Sequence, residues 1–99
     1  MPRLEWIYAP QHPTAAGHFP GNPIIPGALL LAEVLHAITA DHGGAMQAGQ
    51  IKAAKFLHPV RPGDTVIIDY VRTAGGMLQF ECAVGQNKVL TGSAHAADA

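Results

Sequence analysis

Residues Ala28 to Asp41 are apolar almost all the way round a helical wheel, with polar groups only at Glu33, His36, Thr39 and Asp41. Their alanine and leucine content favours helix over strand. A helix with so little polar surface has to be wrapped by the rest of its chain or by a partner. Glu33, His36 and Thr39 or Ala40 recur at a spacing of three and predict its narrow exposed stripe. Gly43 and Gly44 then supply a left-handed stop after His42.

The wrapping comes from period-2 segments, which predict strands over Leu4–Ala9, Ile51–Val60, Thr65–Thr73, Met77–Gly85 and Val89–His95. Arg61-Pro62-Gly63-Asp64 reads as a turn between the second and third of these, and the connections Ala74-Gly75-Gly76 and Gly85-Gln86-Asn87-Lys88 are short enough to join antiparallel neighbours. One helix in an antiparallel sheet of about five strands is an α+β domain, expected to span residues 1–99 as a single unit. With 48% hydrophobic and 13% charged residues among 99, the chain can form a core without disulfides or structural metal.

Several function classes drop out. Seven acidic against six basic residues give a net charge of −1, which offers no footprint for a nucleic-acid backbone or an anionic membrane. The longest apolar run, Ala28 to Ala32, is far short of the roughly 20 residues of a membrane helix. Cys82 stands alone and alternates with Leu78, Phe80 and Val84, as a core thiol does. Together with the lack of a secretory signal pattern, it leads us to expect a protein of the reducing cytoplasm. None of the six histidines pairs at zinc spacing and no glycine-rich phosphate loop appears, so neither metal nor nucleotide cofactor is expected. Ser93 lacks the surroundings of a nucleophile elbow.

The chemistry points to the segment that feeds the helix. Pro20, Pro23 and Pro26 alternate with Gly21 and Gly27 and make a stiff, irregular loop. No Ser, Thr, Asp or Asn stands at the Pro26-Gly27 helix start to cap the first N–H groups. They are open either to water or to a ligand oxygen, which would meet the positive end of the helix dipole. His18, upstream on the same loop, is a candidate base near neutral pH.

The run His18-Phe19-Pro20-Gly21-Asn22-Pro23-Ile24-Ile25-Pro26-Gly27 and the block Lys55-Phe56-Leu57-His58-Pro59-Val60-Arg61-Pro62-Gly63-Asp64 resemble the 3-hydroxyacyl-acyl-carrier-protein dehydratases. The likeness covers roughly Pro10 to His95 and implies a hotdog fold, a curved antiparallel sheet wrapped around one long central helix. It implies reversible dehydration of a 3-hydroxyacyl thioester, carried on acyl carrier protein or coenzyme A, to the trans-2-enoyl thioester in fatty-acid or polyketide-type metabolism. His18 matches the family histidine that removes the α-proton, and Gly27 matches the glycine whose N–H binds the thioester carbonyl. Phe19, Ile24 and Ile25, with Ala28 and Ala32 on the helix, are the expected substrate-lining residues.

One position departs from the family. Its helix Asp or Glu, which assists loss of the hydroxyl across a subunit interface, falls here at Ala32. Glu33 is adjacent, turned by about 100° around the helix. His36 is one turn on, on the same face as Ala32. Either is a candidate acid, or simply a polar group of the exposed stripe. The alternative is a catalytically impaired acyl-thioester or carrier-protein binding module, or a partner subunit that works beside an active homologue. A hotdog thioesterase is a third reading, weakened by the same missing carboxylate. The fold that the resemblance implies, with strand edges left open around one helix, leads us to expect a homodimer or a dimer of dimers.

Overall fold

The computed structural model describes residues 3–8, 24–41 and 46–98. Strand β1 (Arg3–Ile7) precedes helix α1 (Gly27–Asp41), which is followed by β2 (Met46–Phe56), β3 (Thr65–Arg72), β4 (Met77–Val84) and β5 (Asn87–Asp98). All pairings are antiparallel, and the sheet runs β1-β3-β4-β5-β2. This is the α+β arrangement expected from the pattern. The sequence-based bounds of β3 and β4 extend one residue too far at the C-terminal end, and the helix begins one residue earlier than expected.

Alternation sorts the strands into two faces. Val66, Ile68 and Tyr70 of β3 and Leu78, Phe80 and Cys82 of β4 are buried, and form one cluster with Leu30, Val34, Ala37 and Ile38 of the helix. Gly92 of β5 sits opposite Phe80, and a Cβ there would lie 2.6 Å from the ring and 2.7 Å from the Ala53 carbonyl oxygen. Only glycine fits under that ring. The Arg61–Asp64 turn closes as expected, with Gly63 at a φ of 94° and the Arg61 N–H donating to Asp64 Oδ2 at 2.8 Å.

Strand β2 differs most from expectation. It starts at Met46 because Met46 to Ala48 pair with Ala96 to Asp98, and it stops at Phe56 instead of Val60. The Leu57 N–H still donates to the Val89 carbonyl (2.9 Å), but the Val60 carbonyl accepts from the Ile25 N–H (2.7 Å). The chain therefore leaves β5 over these residues and joins the segment that enters the helix. As an edge strand, β2 exposes every residue from Gln50 to Phe56, and exposure continues through Leu57 to Pro59.

The exposed stripe of α1 includes His36 and Ala40 as expected but differs from expectation at its other positions. Ala28, Ala32, His36 and Ala40 form it at a spacing of four, while Glu33 and Thr39 are half-buried. Glu33 turns toward β1, and Thr39 Oγ1 donates to the Leu35 carbonyl at 2.9 Å.

Candidate active site at the helix start

Ile24 to Pro26 lie beside Val60, and the first intrahelical bond runs from the Leu30 N–H to the Pro26 carbonyl (3.0 Å). The amides of Gly27, Ala28 and Leu29 precede that bond, and no acidic side chain stands in the first turn. The positive end of the helix dipole thus meets no acidic side chain of its own first turn.

A cleft of about 450 Å³ opens at this point. Ile24, Ile25, Gly27 and Leu30 form one side, and the segment from Phe56 to Val60 forms the other. The Phe56 ring packs against the Gly27 Cα, so that a Cβ there would lie 3.1–3.3 Å from it, and yet the ring is 49% exposed. Apolar walls meeting a row of backbone donors suit a ligand with a carbonyl head and an alkyl body. A second cleft, of about 410 Å³, lies over Val71, Gln79, Glu81, Thr91 and Ser93 on the face of the sheet away from the helix. Among the described residues, no helix terminus and no histidine line it, so it lacks the chemistry of the first.

The expected site residues distribute unevenly. Ile24, Ile25 and Gly27 line the cleft together. His18 and Phe19 lie outside the described residues. Ala28, Ala32 and His36 stand on the exposed helix face and do not contribute to the cleft wall. The Glu33 carboxylate accepts a 2.8 Å hydrogen bond from the hydroxyl of Tyr8, which is 1% exposed. Burial, and then the Glu33 carboxylate, push the Tyr8 phenol well above its ordinary value and keep it a donor. Tyr8 is tied in turn to the Arg61–Asp64 turn, through its N–H to the Asp64 carbonyl (3.0 Å) and its carbonyl from the Gly63 N–H (2.8 Å). Glu33 therefore joins the helix to β1 and this turn.

Leu30, Phe56, Leu57, His58, Pro59 and Val60 belong to the cleft but were given no role from the sequence. The signal available was an exposed Phe-Leu-His-Pro run at a strand end inside a block already resembling a known family. His58 is the one titratable side chain among the described lining residues, and its Nδ1 lies 3.0 Å from the Lys88 carbonyl oxygen. A carbonyl has no hydrogen to give, so Nδ1 is the donor in this contact.

Residues 2–93 match the ApeI-like family, described as ApeI dehydratase. The chain belongs to this dehydratase family. Among curated relatives, it is 34% identical over 82 residues to the 3-hydroxyacyl-[acyl-carrier-protein] dehydratase FabZ of Thermus thermophilus, covering 75% of this chain and 54% of that protein. It is 39% identical over 77 residues to FabZ of Ehrlichia chaffeensis, covering 71% of this chain and 54% of that one. The chain thus spans about half the length of the curated relatives it matches. Its fold is that of a chain in the dehydratase heterocomplex ApeI:P from Xenorhabdus doucetiae, with a TM-score of 0.80, 22% identity, and coverage of 96% of this chain and 85% of that one. The (R)-hydratase from A. caviae involved in PHA biosynthesis superposes with a TM-score of 0.71 at 17% identity, over 96% of this chain and 91% of that one. The ApeI-like chain accordingly has the hotdog fold that its two signature blocks implied.

Proposed function

We propose that this ApeI-like chain catalyses reversible dehydration of a 3-hydroxyacyl thioester to the trans-2-enoyl thioester, as a cytoplasmic protein of fatty-acid or polyketide-type metabolism. The observation that carries this reading is the cleft in which an apolar wall meets the start of α1 at Gly27, whose first turn carries no acidic side chain. Removing a proton next to a thioester builds an enolate-like oxyanion, and helix-start donors stabilise such a charge. His18 is the base, the Gly27 N–H holds the carbonyl, and Ile24 and Ile25 contact the acyl chain beside Phe19. Glu33 and His36 are the helix-borne candidates for the acid, the first engaged by Tyr8 and the second on the exposed stripe. The carrier is acyl carrier protein or coenzyme A, and the chemistry needs no cofactor.

The test is hydration of short-chain trans-2-enoyl thioesters, read as loss of enoyl absorbance, with wild type and His18→Ala side by side. Activity abolished by the substitution is the expected result, whereas equal rates in both proteins would sink the assignment.

The protein acts as a homodimer or dimer of dimers in this proposal. Strand β2 is an open edge, and Ile51, Phe56 and Leu57 stay exposed on or beside it. A second copy pairing there would satisfy both the backbone and these side chains. A monomeric mass in solution at working concentration would refute this association.

A second reading rests on Ala32. This methyl group stands on the exposed helix face where the family carries its acid, and a similar structure comes from a dehydratase heterocomplex. On this reading the chain is an impaired binding module or partner subunit. Ala32→Asp then raises turnover by about 10²-fold or more, and no gain counts against it.

A further inference from the structure

We propose that His58, on the wall of the cleft facing Gly27, gives the leaving hydroxyl its proton from within the same chain, in place of either helix-borne candidate; the proposal rests on the dehydratase reading above. Ala32 has no proton to give, and Glu33 accepts one from Tyr8 at 2.8 Å. His36 is exposed with Ala28 and Ala32 on a helix face that takes no part in this chain's own cleft, and is placed to serve only the site of a neighbouring subunit. Among the described residues that line the cleft with Gly27, His58 alone carries a titratable side chain.

The geometry suits the role. Nδ1–H of His58 donates to the Lys88 carbonyl at 3.0 Å, and this bond persists whether the ring is neutral or cationic. It fixes the tautomer and leaves Nε2 as the nitrogen that gains and loses a proton. Leu57 donates its own N–H to the Val89 carbonyl, and Val60 accepts from Ile25, so the backbone on both sides of His58 is held between β5 and the helix entrance. Pro59 further stiffens that span. An imidazole anchored this way is presented by a rigid support rather than by a free rotamer.

In the dehydration direction the C2–H bond breaks, its proton passing to the His18 imidazole and its electron pair forming the C2=C3 bond. The C3–O bond breaks with its pair on oxygen, which takes the Nε2 proton of the His58 imidazolium and leaves as water. His18 then releases one proton to solvent and His58 regains one, so the balance closes without a further reactant. The Gly27 N–H carries the transient charge on the thioester oxygen.

The two histidines act on different bonds, and the test separates them. Dehydration of a 3-hydroxyacyl thioester is measured beside exchange of the C2 hydrogen of the corresponding saturated acyl thioester with heavy water, in wild type, His18→Ala, His58→Gln and His58→Ala. We expect the His58 variants to lose dehydration by about 10²- to 10⁴-fold and to retain exchange within a few-fold. His18→Ala should lose both. Dehydration near the wild-type rate in the His58 variants overturns the assignment while leaving the dehydratase reading intact. Parallel loss of exchange and dehydration in those variants also overturns it, because His58 would then support the fold or the binding of substrate. A wild type that performs neither reaction removes the dehydratase reading and this inference with it.

Discussion

Two phenylalanine rings in this molecule lie against glycines, and they belong to opposite kinds of wall. Phe80 covers Gly92 inside the core and is 4% exposed, whereas Phe56 covers Gly27 at the cleft and is 49% exposed. The first contact leaves no room for a methyl group, since the neighbours lie at 2.6 Å and 2.7 Å and one of them is backbone. The second is tighter than ordinary packing by a few tenths of an ångström, and its neighbour is a side chain with solvent on one flank. Similar pairs thus do different work. In the middle of the sheet the glycine lets the core close, and at the helix start it keeps a row of amides accessible to whatever enters beside the ring.

Removing the rings tests this contrast most strongly. Phe80→Ala should cost about 3–5 kcal/mol, the range for deleting a fully buried aromatic. Phe56→Ala should cost no more than about 1–1.5 kcal/mol, since about half of the ring is already in water. Chemical denaturation of the two variants checks both values, and similar losses would show that Phe56 belongs to the core. Next in size is Gly92→Ala, expected to destabilise by about 1–3 kcal/mol because the Ala53 carbonyl cannot move without shifting β2 against β5.

The tyrosine–carboxylate pairs are a smaller test of the same contrast, since they fasten the helix on its core side. Tyr70 donates to Asp41 Oδ2 at 2.6 Å near the end of α1, as Tyr8 does to Glu33 nearer its start. Burial, reinforced by Asp41, pushes the Tyr70 phenol up to about 12. A group whose value is raised on folding adds stability below its unfolded value and loses it as pH rises through the folded one. Stability should therefore fall between about pH 10 and 12. Tyr70→Phe should lower stability at neutral pH by about 1–2 kcal/mol and flatten this alkaline slope, as followed by denaturant titration across the range. Burial also pushes the Cys82 thiol up to about 12, which steepens the loss in both proteins and leaves their difference to Tyr70.

What the sequence disclosed of this architecture was mostly local. The apolar stretch ending at Asp41 gave the helix, and the turns at Gly63 and Gly85 bounded β3 and β4, because periodicity and turn chemistry act over a few residues. Strand β2 was misplaced because its first residues are held by Ala96 to Asp98, far along the chain, and its last by the switch of Val60 to Ile25. The exposed stripe differed in part for a similar reason: Glu33 reads as a surface carboxylate until Tyr8, 25 residues away, is brought against it. Gly27, Ile24 and Ile25 could be grouped in advance, and they do line one cleft, because the helix start and the loop feeding it are contiguous in sequence. The facing wall from Phe56 to Val60 comes from the other edge of the sheet, and no spacing rule joins it to the loop.

The smallest effect on stability, and the sharpest test of the comparison, is expected at Gly27. Gly27→Ala introduces a Cβ 3.1–3.3 Å from the Phe56 ring, and that half-exposed ring can turn outward to accommodate it. Alanine also gains up to about 1 kcal/mol over glycine inside a helix, with less at its first turn. The two terms oppose, so the net change should stay within about 1 kcal/mol, while Gly92→Ala, chemically the same substitution, costs more. Function should move the other way. Turning the ring narrows the cleft, and the added methyl group crowds the approach to the Gly27 amide, so turnover of enoyl thioesters should fall about tenfold or more while the midpoint of unfolding barely shifts. Loss of stability at Gly27 equal to that at Gly92 would mean that the helix start is packed like the core, and that the space beside Phe56 is not held open for a ligand.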